Sequence, residues 1–347
     1  MSQLFSPLTL RGLTLRNRIA MSPMCMYSAA QDGQATDWHL AHYLARAVGR
    51  TGLLITEATA VEARGRISQA DLGLWHDEQV GPLARIVRLV QAEGAAIAVQ
   101  LAHAGRKAWS PDKGRGPQAA VAPSSLPFDD GWPLPVELSP GQIDAVVAAW
   151  GAAAQRAEAA GFDAIEIHAA HGYLNHQFLS PLSNTRTDEY GGPLENRMRF
   201  LLRVTDTVRQ AWPQEKPLLV RVSATDWVEN GVTPDDTVVV ARELKARGVD
   251  LVDCSAGGSV PSAPVTPGPG YQVPFAEKVR REAGIATGAV GLISEPELAE
   301  AILHNGRADL VLLGRELLRH PYWPLDAARV LGDEIDWPRQ YRRARQA

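Results

Sequence analysis

Two histidines and a tyrosine follow an apolar, β-branched stretch in the segment AIEIHAAHGYLNHQF, residues 164 to 178. His168, His171 and Tyr173 are close enough in sequence to crowd the end of the strand that this stretch predicts. Such groups can hydrogen-bond a carbonyl oxygen and deliver a proton, which favours a reactive pocket. The alternative is a pair of core histidines bonded to backbone carbonyls. We expect no metal, because a zinc site needs three protein ligands and, beyond His176, no acid or cysteine stands at suitable spacing.

A second candidate is an arginine inside the apolar stretch LLVRVS. Arginine is almost never fully buried without an anionic partner. Arg221 therefore predicts either a structural pair with an acid such as Glu166 or Glu57, or contact with a bound anion or an electron-rich cofactor edge. The residues alone leave both possibilities open.

Two glycines stand where predicted strands meet their loops, in TGAVGLI and VLLGREL. Gly291 and Gly314, with Arg315 next in sequence, favour a phosphate site built from backbone N–H groups, although glycines can also serve only as turns. The pattern of Gly114, Gly116 and Ala119 follows no predicted strand, so we interpret it as chance.

The elements that position these residues alternate between short apolar runs and longer stretches of helical period. Strands are predicted at Arg18–Met21, Leu53–Glu57, Ala96–Leu101, Ala164–His168, Leu218–Val222, Asp250–Cys254, Ala286–Val290 and Leu310–Leu313. Helices are predicted over 143–160, ending at Gly161, and after Thr233, ending near Gly248. Eight strand–helix units predict an α/β fold, a (β/α)8 TIM barrel, whose active site gathers at the carboxyl ends of the strands. The segment LTLRGLTLRN predicts a β-hairpin that closes the bottom of the barrel.

Composition limits the class of protein. The 347 residues are 45% hydrophobic and 21% charged, with a net charge of −4, so we expect a single domain over 1–347 and no nucleic-acid partner. No apolar run approaches the roughly 18 residues of a membrane span. Two cysteines, Cys25 and Cys254, exclude a disulfide framework and suit a cytoplasmic location.

Four longer motifs carry a resemblance to a known family. SPMCMYSA follows the first barrel strand, AVQLAHAGR lies on the third, HAAHGYLNHQFLSPLSNTRTDEYGGPLENRMRF on the fourth and VRVSATDW on the fifth. Together they resemble the old yellow enzyme family of ene-reductases. The cysteine of SPMCMY is similar to the subgroup called thermophilic-like, since other branches usually carry threonine there.

The resemblance implies an enzyme, an NADPH dehydrogenase with non-covalent FMN. NADPH reduces the flavin, and an α,β-unsaturated carbonyl compound then accepts hydride from flavin N5 and a proton. It implies that His168 and His171 hold the substrate carbonyl oxygen, that Tyr173 donates the proton, and that Tyr27 lies over the substrate. The implied flavin-binding residues are Ser22, Pro23, Met24, Cys25, Ala58, Gln100 and Arg221 around the ring, and Gly291, Gly314 and Arg315 at the phosphate.

The resemblance also implies a homodimer, or a tetramer of dimers. An arm over about 336–347 would place a C-terminal arginine in the neighbouring active site. Arg343 aligns best after the preceding QY, but Arg342 is adjacent and stays an alternative.

Three other classes of protein fit the sequence less well. A phosphosugar aldolase or isomerase would need a Schiff-base lysine or a metal at a strand end, and the strand ends show neither. The larger dienoyl-thioester reductases need an iron–sulfur cluster and a further domain, for which the chain lacks cysteines and length. A flavin storage protein would have no use for a tyrosine beside two histidines.

Overall fold

The computed structural model describes residues 1–30, 32–109, 116 and 118–345. Its strands are β1 (Leu8–Leu10), β2 (Leu13–Leu15), β3 (Ile19–Met21), β4 (Leu53–Ala60), β5 (Ala96–Ala102), β6 (Val121–Ala122), β7 (Val136–Glu137), β8 (Ala164–Ala169), β9 (Leu218–Ser223), β10 (Leu251–Ser255), β11 (Ala286–Ala289) and β12 (Leu310–Leu313).

Its α-helices are α1 (Asp37–Val48), α2 (Val80–Ala92), α3 (Pro140–Ala159), α4 (Leu174–Leu179), α5 (Leu194–Arg197), α6 (Arg199–Ala211), α7 (Pro234–Ala246), α8 (Val273–Ala283), α9 (Pro296–His304), α10 (Arg315–Arg319) and α11 (Trp323–Leu331). Short 3-10 helices span Ala63–Gly65, Asp77–Gln79, Gly105–Lys107 and Arg339–Ala344. Among the described residues, no helix is long and apolar enough to cross a membrane.

Eight parallel strands close into a barrel in the order β3, β4, β5, β8, β9, β10, β11, β12, with β12 paired to β3. These are the eight strands that the sequence predicts, so the predicted TIM barrel is confirmed. The strands are almost wholly buried because the barrel interior covers one face and the helices cover the other.

Helix boundaries follow local signals in the sequence. The Ser139 hydroxyl accepts a hydrogen bond from the Gln142 N–H at the start of α3, which begins three residues before the predicted start and ends before Gly161. Thr233 caps α7 in the same way, accepting from the Asp236 N–H at 3.1 Å. These caps satisfy N–H groups that a helix cannot pair internally.

The hairpin of β1 and β2 closes the amino-terminal end of the barrel, as predicted. Leu10 and Leu15 are buried in one apolar cluster with interior leucines such as Leu219 and Leu251. At the hairpin turn, Arg11 forms an ion pair of 2.7 Å with Asp250, which directly precedes β10. The barrel is therefore filled from below by side chains, and its opposite end remains for chemistry.

A bulge interrupts β4. Ile55 pairs with Ala98 of β5, but the next registered pair is Ala58 with Gln100, so β4 contains one extra residue. The alternation of inward and outward side chains changes phase at this point.

We predict that Leu15→Ala lowers the free energy of unfolding by about 2–5 kcal/mol, because it leaves a cavity in the closed end of the barrel. The measurement is a shift in the midpoint of urea denaturation. Val239→Ala is the matched control, because the α7 side chain is 37% exposed. Equal losses in both variants would contradict the role of the hairpin.

Candidate active site at the barrel mouth

The sequence-predicted histidines and tyrosine converge at the carboxyl end of β8. The rings of His168 and His171 have centroids 5.3 Å apart, and those of His168 and Tyr173 are 5.0 Å apart, both nearly perpendicular. His168 is buried, whereas His171 and Tyr173 are partly exposed. Three polar rings therefore surround one point at the mouth.

A tight turn, residues 170–173, sets the directions of these rings. His171 has φ +59° and Gly172 has φ +71°. A Cβ at Gly172 would lie 2.1 Å from the carbonyl oxygen of Gly258, so only glycine fits between these two backbone segments. The Lys107 ammonium donates to the carbonyl oxygens of His171 at 2.9 Å and Gly258 at 3.1 Å, which joins the two segments.

His176 supports the same turn from behind. Its Nδ1 accepts from the Gly172 N–H at 2.9 Å, and its Nε2 lies 3.1 Å from the Asp226 carboxylate, with both side chains fully buried. Ser180 also donates to Asp226, at 2.7 Å. His176 is thus held as a positioning group. In the described part of the chain, no three His, Cys, Asp or Glu side chains form a possible metal site.

The two mouth imidazoles are neutral. Burial, followed by the positive charge of Arg221, lowers the pKa of both His168 and His171 well below the ordinary value. Nδ1 of His168 accepts from the Ala170 N–H at 3.2 Å, which places the proton of the neutral ring on Nε2, where it can be donated. His171 Nε2 lies 2.8 Å from the Ser255 hydroxyl, which holds the ring.

Tyr173 keeps its proton. Burial, and then the neighbouring Cys25 and Tyr27, raise the pKa of the phenol well above its ordinary value. Among the described residues, no group accepts a hydrogen bond from its hydroxyl. The ring packs, together with Cys25, on an apolar patch that includes Ala58 and Ala104.

Arg221 is buried, and its partner differs from both acids that we expected. Its Nε lies 3.0 Å from Oδ2 of Asp253, on the adjacent strand β10. The N–H direction misses this oxygen, so the contact is an ion pair without a hydrogen bond. Glu57 is directed elsewhere and pairs with His39 at 3.0 Å. Within the described ranges, Arg221 donates no hydrogen bond to protein.

Gln100 is another polar side chain inside the barrel. It is 2% exposed and donates through Nε2 to Glu166 Oε1 at 2.8 Å. Glu166 lies directly opposite Gln100 in the pairing of β5 with β8. Both strands thus deliver hydrogen-bonding groups to the same interior layer.

The predicted phosphate residues line one cavity of about 240 Å³. Gly291, with φ +125°, Gly314 and Arg315 lie at its wall, at the carboxyl ends of β11 and β12. Any Cβ at Gly314 would be 3.7 Å from the sulfur of Met24, so the loop after β3 adjoins this cavity. The arrangement offers backbone groups and a cation to an anion.

The loop after β3 carries the remaining predicted residues, Ser22, Pro23, Met24, Cys25 and Tyr27. Ser22 N–H donates to Leu313 at 2.9 Å, and Met26 N–H donates to the Glu57 carboxylate at 3.0 Å. Tyr27 has φ +51° and is 44% exposed. The loop is therefore anchored at both sides of Cys25, with Tyr27 facing outward.

Arg343 is the one predicted residue that no described contact connects to the mouth of its own chain. It lies in the 3-10 helix Arg339–Ala344 and is exposed. Residues 346 and 347 of the predicted arm lie outside the described residues, as does Gly114 of the dismissed glycine pattern.

Sequence reasoning missed Asp253, Ser255, Lys107 and Asp226. Asp253 could have been identified from the sequence, because it interrupts the apolar run LVDCS just as Arg221 interrupts LLVRVS. Lys107 and Asp226 carried none, because their contacts join loops far apart in the chain.

The residues present fit an FMN group. A buried guanidinium without a hydrogen-bond acceptor among the described residues suits an electron-rich ring edge, and the glycine-lined cavity that ends at Arg315 suits a phosphate. Pro23, Met24 and Ala58 are partly or fully buried small or apolar residues.

Comparison with known proteins agrees with this chemistry. The family model described as NADH:flavin oxidoreductase / NADH oxidase family matches residues 3–334. The chain is 56% identical over 341 residues to an NADPH dehydrogenase of Geobacillus thermodenitrificans (strain NG80-2), covering 98% of each chain. It is 55% identical over 345 residues to an NADPH dehydrogenase of Listeria innocua serovar 6a, covering 99% of each.

Two solved structures of similar fold superpose on nearly the whole chain. Morphinone reductase in complex with tetrahydroNAD superposes with a TM-score of 0.80 at 30% identity, over 97% of this chain and 93% of that one. The old yellow enzyme homologue from Zymomonas mobilis superposes with a TM-score of 0.81 at 27% identity, over 96% and 94%.

We predict that Gly172→Ala destabilises the protein by more than the about 1–2 kcal/mol of a left-handed alanine alone, because its Cβ forces Gly258 to move. Urea denaturation gives the free energy of unfolding. Gly192→Ala is the control, since it has φ +81° but no atom within 4 Å of the added Cβ. If the two variants lose equal stability, the close approach to Gly258 does not constrain the turn.

Proposed function

The chain belongs to the NADH:flavin oxidoreductase / NADH oxidase family, and on this basis we propose that it is an ene-reductase acting on α,β-unsaturated aldehydes, ketones and related activated alkenes. It is an oxidoreductase of the old yellow enzyme family that uses FMN and NADPH. The observation that carries the proposal is the placement of two neutral imidazoles and a protonated phenol around one point of the mouth.

FMN, bound without a covalent bond, would supply hydride transfer between NADPH and the β-carbon of the alkene. Arg221 and Gln100 would hold the ring of the cofactor, beside Ser22, Pro23, Met24, Cys25 and Ala58. Gly291, Gly314 and Arg315 would hold its phosphate. The cation of Arg221 suits a ring edge that becomes negative on reduction.

His168 and His171 bind the substrate carbonyl oxygen. A neutral imidazole donates one hydrogen bond without giving up its proton, and the oxygen becomes more negative as hydride arrives. Two fixed donors therefore stabilise the transition state more than the bound substrate. The two imidazoles are held in place by Ser255, Lys107 and His176, so they need no reorganisation during the reaction.

Tyr173 is the proton donor to the α-carbon. Its raised pKa keeps the hydroxyl protonated at neutral pH, and no described residue competes for that proton. Its ring is fixed against the ring of His168 and the apolar patch. Tyr27, exposed at the mouth, would cover the bound substrate.

A homodimer, or a tetramer of dimers, with a shared active site completes the proposal. Arg342 lies 3.7 Å from Asp336, and Arg345 lies 3.0 Å from Glu334, so both have carboxylate partners in their own chain. Arg343 has no such partner among the described residues. This difference supports Arg343 over Arg342 as the arginine that reaches a neighbouring mouth.

We predict that Tyr173→Phe slows the reduction of 2-cyclohexenone by about 10²–10⁴-fold, as loss of a general acid does. The rate at which NADPH bleaches the flavin stays unchanged, because that half-reaction needs no proton from Tyr173. Anaerobic stopped-flow spectroscopy measures both: the flavin bands bleach with NADPH and return with the enone.

Tyr190→Phe controls for the loss of a hydroxyl, because Tyr190 is buried beside Phe178 and away from the mouth. Equal slowing of both half-reactions by Tyr173→Phe would contradict the donor role. A wild-type protein that shows no flavin band even with added FMN would contradict the proposed function itself.

We predict that Arg343→Ala lowers kcat/KM for the enone by about tenfold, the usual worth of a charged hydrogen bond. Arg342→Ala, its neighbour in sequence, changes this value less than about twofold, since exposed charges contribute little. Steady-state kinetics measures both, and sedimentation velocity measures the oligomer. A monomer at micromolar concentration, or the reverse order of the two variants, would contradict the shared site.

A further inference from the structure

A pair of completely buried acids lies in the barrel interior, one layer below the mouth. Glu166 on β8 and Asp253 on β10 both have 0% exposure, and the strand between them, β9, carries Arg221. Arg221 pairs in register with Asp253 on one side and with His168 on the other. We call Glu166 and Asp253 the acid pair.

Each member of the acid pair contacts one of the two side chains proposed to hold the flavin ring. Asp253 Oδ2 lies 3.0 Å from Arg221 Nε. Glu166 Oε1 accepts from Gln100 Nε2 at 2.8 Å. The acid pair is therefore placed to orient both side chains from below.

The charges in this layer do not balance if both acids are ionised. Arg221 supplies one positive charge, while His168 above is neutral. Most of the surrounding interior is apolar, with residues such as Ala20, Ile55 and Leu312. An uncompensated buried charge is costly, so one proton must stay on the acid pair.

Glu166 is the member that holds this proton. Asp253 is the direct ion-pair partner of Arg221, whose positive charge opposes the rise that burial causes in the pKa of Asp253. Both oxygens of Asp253 and Oε2 of Glu166 are buried without a hydrogen-bond partner among the described residues. Burial, and then the charge of Asp253, raise the pKa of Glu166 to about 8, against the opposing effects of Arg221 and Gln100. The acid pair thus carries a single negative charge at neutral pH.

We propose that Glu166 and Asp253 are positioning residues of the flavin site. Asp253 anchors the Arg221 guanidinium, and Glu166, as a neutral acid, orients the Gln100 amide while keeping the layer below the flavin free of net charge. The inference rests on the proposed assignment of Arg221 and Gln100 to the flavin ring.

Ionisation of Glu166 then affects the cofactor. Above about pH 8 the layer gains a negative charge, which disfavours a flavin that itself becomes negative on reduction. The reduction potential of bound FMN therefore falls more steeply with pH above this value than it would without Glu166.

Folding stability provides a second readout that needs no flavin. A glutamic acid in the unfolded chain ionises at about pH 4.3, whereas folded Glu166 keeps its proton up to about pH 8. Between these values the folded state binds more protons than the unfolded state, so stability falls as pH rises through this window. Above it the contribution is constant.

The test uses Glu166→Gln, which has nearly the same shape and cannot ionise. At pH 6.5 we expect the wild-type reduction potential, and above pH 8 the additional fall in potential should be absent. The apoprotein of the variant should gain thermal stability over the wild type, by an amount that grows from pH 5 to 8. An unchanged pH profile of the potential would overturn the role of Glu166.

Asp253→Asn tests the anchoring of Arg221. We expect its dissociation constant for FMN to rise by about tenfold or more, the usual effect of losing an outer supporting partner, while Glu166→Gln binds FMN almost as the wild type does. Wild-type FMN affinity in Asp253→Asn would overturn the anchoring. If this variant fails to fold, the pH profiles of Glu166→Gln still decide the inference.

Asp309→Asn is the matched control, because Asp309 forms an ion pair of the same 3.0 Å length with Arg280, just before β12 at the closed end. It should change stability without changing the potential. Arg221→Met distinguishes a failure of the proposed flavin site from a failure of the acid pair. Undisturbed FMN binding in that variant contradicts the proposed flavin site. Weakened FMN binding in Arg221→Met, together with a wild-type pH profile of the potential in Glu166→Gln, contradicts only the role of the acid pair.

Discussion

The free-energy cost of burying charge determines which side chains are paired and which are neutral in the inner half of this barrel. A guanidinium inside a closed sheet needs an anion, and Asp253 supplies it across one pair of neighbouring strands. Arg221 donates no hydrogen bond to protein in the described ranges, so its N–H groups stay available to a bound group. The same burial makes His168 and His171 neutral, so the mouth combines one permanent cation with two uncharged donors. The protonation states that the chemistry needs therefore follow from placement in the barrel.

The turn after β8, residues 170–173, sets the positions of the histidine and tyrosine rings relative to the strand. Three supports converge on it: the contact of Gly172 with Gly258, the Lys107 ammonium, and the His176–Asp226 pair. Each support comes from a different part of the chain, so the turn is set by the assembled barrel rather than by its own sequence. Rigid support of this kind is what electrostatic stabilisation of a transition state requires.

The fold could be predicted from the sequence because its signals are local. Apolar runs such as 310–313 define strands, and caps such as Ser139 define helix starts. The cluster of His168, His171 and Tyr173 was equally visible, since one short segment carries it. The partner of Arg221 was not, because the choice among Glu57, Glu166 and Asp253 depends on register between strands and on a bulge that no local pattern announces.

That bulge in β4 decides where a third carboxylate goes. Leu53 and Ile55 face the interior, and strict alternation would turn residue 57 inward beside Gln100. The extra residue instead gives that position to Ala58 and turns Glu57 toward His39 of α1. One inserted residue thus places the Glu57 carboxylate in the helical layer instead of the barrel interior. Without it, the lumen would hold three acids against one arginine, and a cavity suited to an anionic cofactor would repel it.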